Sequence, residues 1–123
     1  MGRVVVFGSV NTDLVARSRV MPRAGETILG EGFAVVGGGK GANAAVAAAR
    51  LGARVAFVGC IGEDDFGRAR LADLAHEGID IAAVRRSSAA SSGVALILVD
   101  AVGENSIVVV PGTNFASRRA TSC

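Results

Sequence analysis

The stretch Gly37–Asn43 reads GGGKGAN and runs directly into AAVAAAR, residues 44–50. The alanine-rich part predicts a helix from Ala42 to Leu51, and Gly52 is its natural stop. Because nearly every position is Ala, Val or Leu, this helix is expected to be apolar all round and to pack closely against a sheet. Glycines ahead of a helix let backbone N–H groups approach a ligand, so the stretch also predicts a binding site.

Segments typical of buried strands lie on both sides of this helix. Val4–Phe7 is a short apolar run of β-branched and aromatic residues, which favours a strand buried on both faces. Residues 54–62 (RVAFVGCIG) and 79–84 (IDIAAV) predict two further strands. The alternation of strands and helices predicts the α/β class with a mainly parallel sheet.

A second helix is predicted within EDDFGRARLADLAHEG, residues 63–78. Asp64 or Asp65 can cap this helix, and Gly78 ends it. His76, the one histidine of the chain, falls within the helix and is expected to be a solvated or core-edge residue. A Ser-His-Asp triad and a histidine-rich metal site are therefore not expected, and the sequence predicts no metal ligands.

Additional β structure is predicted outside the parallel sheet. Residues 26–36 (ETILGEGFAVV) read as extended segments with glycine breaks. The segment GVALILVDAVGENSIVVVP predicts a hairpin with strands at Val94–Val99 and Ile107–Val110. Residues 115–123 show no periodicity and are predicted to form a tail.

Composition and charge argue against several classes of function. The net charge is +2, and the chain has no Trp or Tyr and five Phe, so a basic nucleic-acid surface with stacking aromatics is not expected. No apolar run reaches the roughly 18–20 residues that a membrane span needs. The N-terminal stretch does not resemble a targeting signal, so a cytoplasmic protein is expected.

Two polar side chains follow the first predicted strand, in GSVNTD, residues 8–13. Ligands of open α/β sheets collect at the carboxyl ends of the strands, where this segment would lie. The carboxylate of Asp13 accepts hydrogen bonds, and the amide of Asn11 both donates and accepts, so the pair suits a polyol. Asn and Asp also favour turns without any ligand, and on spacing alone this second interpretation stays open.

Two nucleotide-binding motifs are compared with GGGKGAN. A P-loop is rejected, because Ala34 stands where its first glycine belongs and Gly41 replaces the hydroxyl residue after the lysine. A dinucleotide fingerprint matches in spacing at Gly37, Gly39 and Ala42. This fingerprint should follow the first strand directly, however, and here a long extended insert separates the two.

A third interpretation of GGGKGAN is a neutral ligand held by backbone N–H groups together with Lys40 and Asn43. Glycines that serve only the close packing of helix and sheet compete with this interpretation. The glycine stretch by itself therefore leaves the ligand open.

Several ordered motifs resemble those of the ribokinase-like (PfkB) family of carbohydrate kinases. GSVNTDLV resembles the opening segment of the family, and PRAGETILGEGFAVVGGGKGANAAVAAARLGA resembles its first signature. GEDDFG resembles the G-x-D-x-x-G element that follows, and SSGVALILVDAVGENSIVVVPGTN extends the match to about Asn114. On these motifs the chain is identified as the N-terminal part, residues 1–114, of a ribokinase-like domain. The resemblance implies an α/β fold with a partial, Rossmann-like parallel sheet.

The resemblance implies phosphoryl transfer from ATP, with Mg²⁺, to a sugar hydroxyl. Asn11 and Asp13 would hold the sugar hydroxyls, and Lys40 would also face the transferred phosphate. The full substrate-binding set implied by the resemblance is Asn11, Asp13, Gly38, Gly39, Lys40, Gly41 and Asn43. GGKGAN with NTD is similar to the pocket of ribose kinases rather than to that of nucleoside or fructose-phosphate kinases, so ribose is the favoured sugar.

The resemblance also implies a small β-lid, formed by residues of about 12–36 and 94–110. In the family this lid closes over the sugar, and it can pair with a second lid to make a homodimer. Closure would exclude water and so protect ATP from hydrolysis.

The N-x-x-E and G-A-G-D motifs, which the family carries in its later half, do not occur in this sequence. We therefore expect a truncated sugar kinase with a sugar-binding half, a divergent tail at 115–123, and neither the ATP site nor the catalytic Asp. Such a chain is expected to be inactive alone. Two alternatives stay open: a non-catalytic sugar-binding or dimerisation module, and a dinucleotide-binding fragment.

Overall fold

A computed structural model of the chain describes residues 2–116. In chain order its elements are β1 (Arg3–Phe7), β2 (Asn11–Arg17), β3 (Gly32–Gly38), α1 (Lys40–Arg50), β4 (Arg54–Gly62), α2 (Asp65–His76), β5 (Val84–Ser87), β6 (Gly93–Val99), β7 (Asn105–Val110) and α3 (Thr113–Ala116). Residues 117–123, the greater part of the predicted tail, lie outside the described residues. Within residues 2–116, no helix is long and apolar enough to cross a bilayer.

β1, β4 and β5 form a three-stranded parallel sheet with β4 in the middle. β4 pairs with β1 through its first half and with β5 through its second half. α2 lies between β4 and β5 in the chain, so these three elements make a β–α–β unit, which parallel neighbours require. The predicted α/β class with a parallel sheet is confirmed.

One face of this sheet is covered by α1 and α2. Val55 and Phe57 of β4 lie on this face and are 6% and 0% exposed. Ala42 and Ala45 of α1 pack against them, and their small side chains let the helix come close to the strand. The buried cluster between sheet and helices comprises Val10, Ala42, Ala45, Val55, Phe57, Ile61, Leu71, Leu74 and Ile79.

The opposite face of the parallel sheet is open at β1. Val5 and Phe7 of β1 are 61% and 63% exposed, and they alternate with Val4 and Val6, which lie on the helix side. The prediction that this strand is buried on both faces is therefore wrong within the described chain. The apolar run reflects a face that residues 2–116 leave uncovered.

The helix after the glycine stretch differs slightly from its prediction. α1 begins at Lys40, two residues ahead of the predicted start, and Gly52 follows its end with a φ of 96°. Ala42 and Ala45 are buried against the sheet, whereas Ala44 is exposed. The helix thus packs through one face only, although its central positions are small and apolar almost throughout.

β2, β3, β6 and β7 form a second, four-stranded sheet in the order β3-β2-β6-β7. β2 pairs antiparallel with β3 and parallel with β6, and β6 pairs antiparallel with β7. The hairpin predicted at 94–99 and 107–110 is present as β6 and β7, each of them extended at its first end. Of the extended segment predicted at 26–36, the part from Gly32 onward forms β3.

Side chains of the four-stranded sheet alternate between two faces. One face, called here the Asp13 face, carries Asn11 and Asp13 at the start of β2. The other, called the Leu14 face, carries a row of four apolar residues that are in register on neighbouring strands. This row consists of Val35, Leu14, Leu96 and Val108.

Two segments depart from the sequence prediction. Asn11 and Asp13, for which a turn was one of two interpretations, begin β2 instead. The strand expected at 79–84 is reduced to one parallel bridge between Ala56 and Asp80. The Asp80 carboxylate accepts a hydrogen bond from the Ala82 N–H at 2.9 Å, which favours a turn, and β5 begins only after it.

Candidate functional site

The connection between β1 and β2 lies directly against the first turn of α1. The Ala42 N–H donates to the Ser9 carbonyl at 2.9 Å. A Cβ atom placed on Gly41 would stand 2.7 Å from the Ser9 nitrogen and 2.8 Å from the Gly8 carbonyl carbon. Backbone thus packs on backbone here, and only glycine fits at position 41.

Gly39 occupies the N-cap of α1 with a φ of 96°, in the left-handed region that favours glycine. A Cβ at this position would lie 2.7 Å from the Ser9 carbonyl oxygen and 2.8 Å from Val10 Cα. The N-cap has no side chain to accept hydrogen bonds from the first turn. The Ala42 N–H donates to the Ser9 carbonyl instead, and the Asn43 N–H donates to the Gly39 carbonyl.

Asn11 and Asp13 stand two residues apart on the Asp13 face of β2, and Gly38 lies beside them as the strand partner of Asn11. The Asp13 carboxylate lies over Gly38, because a Cβ on that glycine would be 2.6 Å from Asp13 Oδ2. The structure therefore brings together four residues predicted for the site: Asn11, Asp13, Gly38 and Gly39.

Asn114 is a residue of this site that the sequence analysis missed. Its Oδ1 accepts a hydrogen bond from the Val10 N–H at 2.9 Å, and its Nδ2 donates to the Val10 carbonyl at 3.0 Å. The same Nδ2 donates to Asn11 Oδ1 in a short bond. Gly93, the β6 partner of Asn11, leaves the space for this contact, since a Cβ there would collide with Asn114 Nδ2. The available signal was the polar residue at the end of PGTN, the segment that directly follows the second strand of the predicted hairpin.

Asp64 of the G-x-D-x-x-G element forms hydrogen bonds with Ser92 and so helps to hold the site in place. Asp64 Oδ1 accepts from the Gly67 N–H at 2.8 Å and from Ser92 Oγ at 2.7 Å, and Oδ2 accepts from the Ser92 N–H at 2.9 Å. Ser92 Oγ in turn accepts from the Gly62 N–H at 2.9 Å. Because Ser92 directly precedes β6, this network fixes the start of the strand beside Asn11.

The same network determines the ionisation of Asp64. Burial by itself would raise the pKa of this carboxyl, but the hydrogen bonds from Ser92 and from the Gly67 N–H, with the charge of Arg68, outweigh it. The pKa of Asp64 is therefore lowered from its ordinary value. Asp64 is the N-cap of α2, as the sequence predicted it could be.

Lys40 and Asn43 occupy the first turn of α1 with exposed side chains. Asn43 and Gly38 also line a groove of about 590 Å³ between α1 and α2, to which Asn11 and Asp13 do not contribute. Lys40 and Asn43 thus border the site, and no contact of their side chains with Asn11 or Asp13 is seen in the described chain.

Arg70 joins the four-stranded sheet to α2 at the edge of this groove. Its guanidinium lies 3.4 Å from Thr12 Oγ1 and pairs with Asp73 at 2.9 Å. The guanidinium also packs over Gly37, where a Cβ would meet it at an ordinary contact distance of 3.5 Å. Gly37 lies within β3 and Gly39 is the N-cap of α1, so the glycine stretch joins the end of a strand directly to the start of a helix.

The donor set of the site suits hydroxyl groups better than a metal ion. It offers one carboxylate, two amides and backbone groups, of which the amides supply both donors and acceptors. Among residues 2–116 no three His, Cys, Asp or Glu side chains are close enough to hold a metal ion together.

Comparison with known proteins places this chain in one family. Residues 1–122 match the model of the pfkB family of carbohydrate kinases, and the chain belongs to this family. It is 46% identical to the ribokinase of Schizosaccharomyces pombe over 120 residues, which are 93% of this chain and 38% of that protein. It is 49% identical over 114 residues to the ribokinase of Bacillus subtilis, covering 93% of this chain and 39% of that one.

A solved structure gives the same result in three dimensions. The ribokinase of Arabidopsis thaliana, determined with ribose and ATP, is similar with a TM-score of 0.86 and 35% identity. The match covers 93% of this chain and 38% of that one. The chain thus spans about 38% of the length of such relatives.

Proposed function

We propose that this region is the sugar-binding part of a kinase that phosphorylates a pentose, with ribose favoured. The observation that carries the proposal is the placement of Asn11 and Asp13 on one sheet face, over Gly38 and beside the first turn of α1. A polyol needs acceptors and donors side by side, and a carboxylate with an amide supplies both. The family and the ribose-bound relative support the choice of a sugar.

Each proposed ligand residue has a distinct role. Asp13 accepts from sugar hydroxyls, and Asn11 completes the pair. Gly39 and Gly41 keep the backbone close, so that main-chain groups can reach the sugar. The remaining glycine, Gly38, leaves room under the Asp13 carboxylate. Asn43 and Lys40 lie on the exposed first turn, where Asn43 would bind the far side of the sugar and Lys40 would attract a phosphate.

Replacing Asp13 by asparagine is expected to weaken ribose binding about tenfold or more, because one charge-assisted acceptor is lost and its partner hydroxyl is left unpaired. Isothermal titration of ribose into both proteins measures the effect. The matched control is Asp65→Asn, whose carboxylate is 97% exposed and outside the site. Equal affinity of the Asp13 variant and the wild type would contradict the proposed role.

We further propose that phosphoryl transfer needs parts of the kinase fold beyond these 123 residues. ATP would be the phosphoryl donor, bound together with Mg²⁺. The cytoplasm, where ATP is abundant, is the proposed location. Incubated with ATP, Mg²⁺ and ribose, the chain alone is expected to give no more ribose phosphate than its Lys40→Ala variant. Turnover above that control would overturn this division of roles. Ribose binding without turnover in a complete protein would favour the non-catalytic sugar-binding module.

The four-stranded sheet is proposed to act as the lid, with its Asp13 face toward the sugar and its Leu14 face toward a second copy. The row on the Leu14 face is apolar and open: Val35, Leu96 and Val108 are 50%, 46% and 60% exposed. Exposed apolar rows of this kind favour association with another surface. A homodimer through two lids would cover them.

The substitution Val35→Asp is expected to weaken such a dimer at least about tenfold, because a carboxylate would be buried in the interface without a partner. Sedimentation velocity over a concentration series measures the dissociation constant. Val102→Asp is the control, since Val102 is 81% exposed in the turn between β6 and β7 and outside the row. A Val35 variant that stays as dimeric as the Val102 variant would exclude the Leu14 face as the interface.

A further inference from the structure

The backbone at Val10 determines which way the Asn114 amide points. An N–H group can only donate and a carbonyl can only accept. Asn114 bonds both groups of Val10 at once, at 2.9 Å and 3.0 Å. Its Oδ1 must therefore face the Val10 N–H, and its Nδ2 must face the Val10 carbonyl. The reverse orientation would place two donors together and two acceptors together.

The orientation of Asn114 in turn determines that of Asn11. The Asn114 Nδ2 group is a donor, and it contacts the side chain of Asn11. Asn11 must therefore present its Oδ1 to Asn114, which uses the acceptor end of the amide. The end that Asn11 can offer to a ligand is then its Nδ2, which carries two N–H donors.

We propose that Asn114 is a positioning residue that makes Asn11 a hydrogen-bond donor toward the sugar. This inference rests on the proposed sugar-binding function and sharpens it. Asn11 then donates and Asp13 accepts, from neighbouring places on one sheet face. The pair would recognise two hydroxyls, of which one accepts a hydrogen bond from Asn11 and the other donates to Asp13.

Gly93 makes the contact between Asn114 and Asn11 possible. It stands opposite Asn11 in the parallel pairing of β2 with β6, and a Cβ there would lie 2.5 Å from Asn11 Oδ1 as well as colliding with Asn114 Nδ2. The absence of a side chain at this position lets the two amides meet. The helix α3, which supplies Asn114, and the strand β2, which carries Asn11, are thus coupled through a contact that a single methyl group would break.

The orientation itself is tested without any sugar by NMR of the ¹⁵N-labelled chain. In the wild type, the Nδ2 protons of Asn114 are expected to exchange slowly with solvent, because they are bonded to Val10 and Asn11. Those of Asn11 are expected to exchange fast. Added ribose is expected to shift the Asn11 side-chain amide and to leave that of Asn114 nearly unchanged. Slow exchange at Asn11 with fast exchange at Asn114 would overturn the assignment.

Two variants separate positioning from folding. Asn11→Asp keeps the acceptor for Asn114 but removes the donor for the ligand, so ribose affinity is expected to fall about tenfold or more while Asn114 stays protected from exchange. Asn114→Asp keeps the acceptor for the Val10 N–H but places a carboxylate oxygen next to Asn11 Oδ1, and two acceptors repel each other. The Asn11 side-chain amide is therefore expected to flip, so that its Nδ2 faces the carboxylate. Ribose affinity is then expected to fall although Asn11 and Asp13 are both present.

The backbone NMR spectrum and the melting temperature of each variant serve as the folding control. Wild-type ribose affinity in either variant, with a folded spectrum, would overturn the positioning role. A variant that loses its folded spectrum is replaced by Gly93→Ala, which breaks the same contact from the other strand. If the wild type fails to bind ribose while Asn114 is protected, the proposed sugar is wrong and the coupling of the two amides stands.

Discussion

Substituting Gly39 by alanine is expected to lower the free energy of unfolding by about 3–5 kcal/mol, since the new methyl group meets both backbone strain and backbone overlap. The φ of 96° at this residue disfavours any side chain. The methyl carbon would also stand 2.7 Å from the Ser9 carbonyl oxygen and 3.0 Å from the Asn11 nitrogen. Neither neighbour is a flexible side chain, so relief requires moving β2 away from α1.

The matched control for Gly39 lies two residues away in the same stretch. Gly37→Ala would place its methyl group 3.5 Å from the Arg70 guanidinium, which is ordinary contact with a side chain that can shift. We expect a change within about 0.5 kcal/mol for this variant. Urea unfolding followed by circular dichroism measures both. A Gly39 variant as stable as the Gly37 variant would show that β2 and α1 are not held as closely as described.

The second large effect is expected at Asp64. Its replacement by alanine removes the acceptor of three hydrogen bonds, from the Gly67 N–H, the Ser92 N–H and Ser92 Oγ. We expect a loss of about 2–4 kcal/mol, since an N-cap is removed and partly buried donors are left without partners. The neighbouring carboxylate provides the control: Asp65 is 97% exposed and pairs with Arg68 at the surface, so Asp65→Ala is expected to cost little. Equal losses in both variants would contradict the role of the Asp64–Ser92 network.

Asp64 also makes stability depend on pH in a defined direction. Because its pKa is lowered in the folded chain, the unfolded chain takes up a proton first as the pH falls. The stabilisation from Asp64 is therefore present above the ordinary pKa of an aspartate and is lost as the pH falls through the lowered folded pKa. Urea midpoints measured over the acidic range are expected to fall less steeply in Asp64→Ala than in Asp65→Ala. Parallel curves would exclude the effect.

The parts of the fold that the sequence predicted well depend on neighbours along the chain. α1 and α2 follow from local propensity, from the Asp64 cap and from the glycines that stop them. The β6–β7 hairpin likewise joins strands that are adjacent in sequence. The parallel sheet was predictable because apolar runs alternate with these helices.

The errors arise where distant segments decide the structure. Asn and Asp have low strand propensity, yet Asn11 and Asp13 lie in a strand because β6 and β3 supply hydrogen-bonding partners on both sides. Asp80 was expected in a strand, but its side chain closes a turn. Burial of β1 on both faces was inferred from composition, which does not say whether a second layer is present.

The candidate site likewise has residues that the sequence predicted and one that it did not. Its glycines and polar residues were visible as motifs, because each motif is a short run in the chain. Asn114 was not, since its role exists only through the contact with Val10 and Asn11. No periodicity or spacing rule connects residues so far apart, and only the folded backbone brings them together.

The bond between Val10 and Asn114 joins residues 104 positions apart in the chain. β2 likewise has one edge paired with β3, and its other edge is paired only when β6 has been made. Contacts of such long sequence separation slow folding, because a large loop must close before they form. On the ribosome, α1 and α2 can therefore form well before Asn11 acquires its partners Gly93 and Asn114. The Asp13 face would be among the last parts of this region to mature, and a stalled nascent chain that ends ahead of β6 would lack both Gly93 and Asn114 beside Asn11.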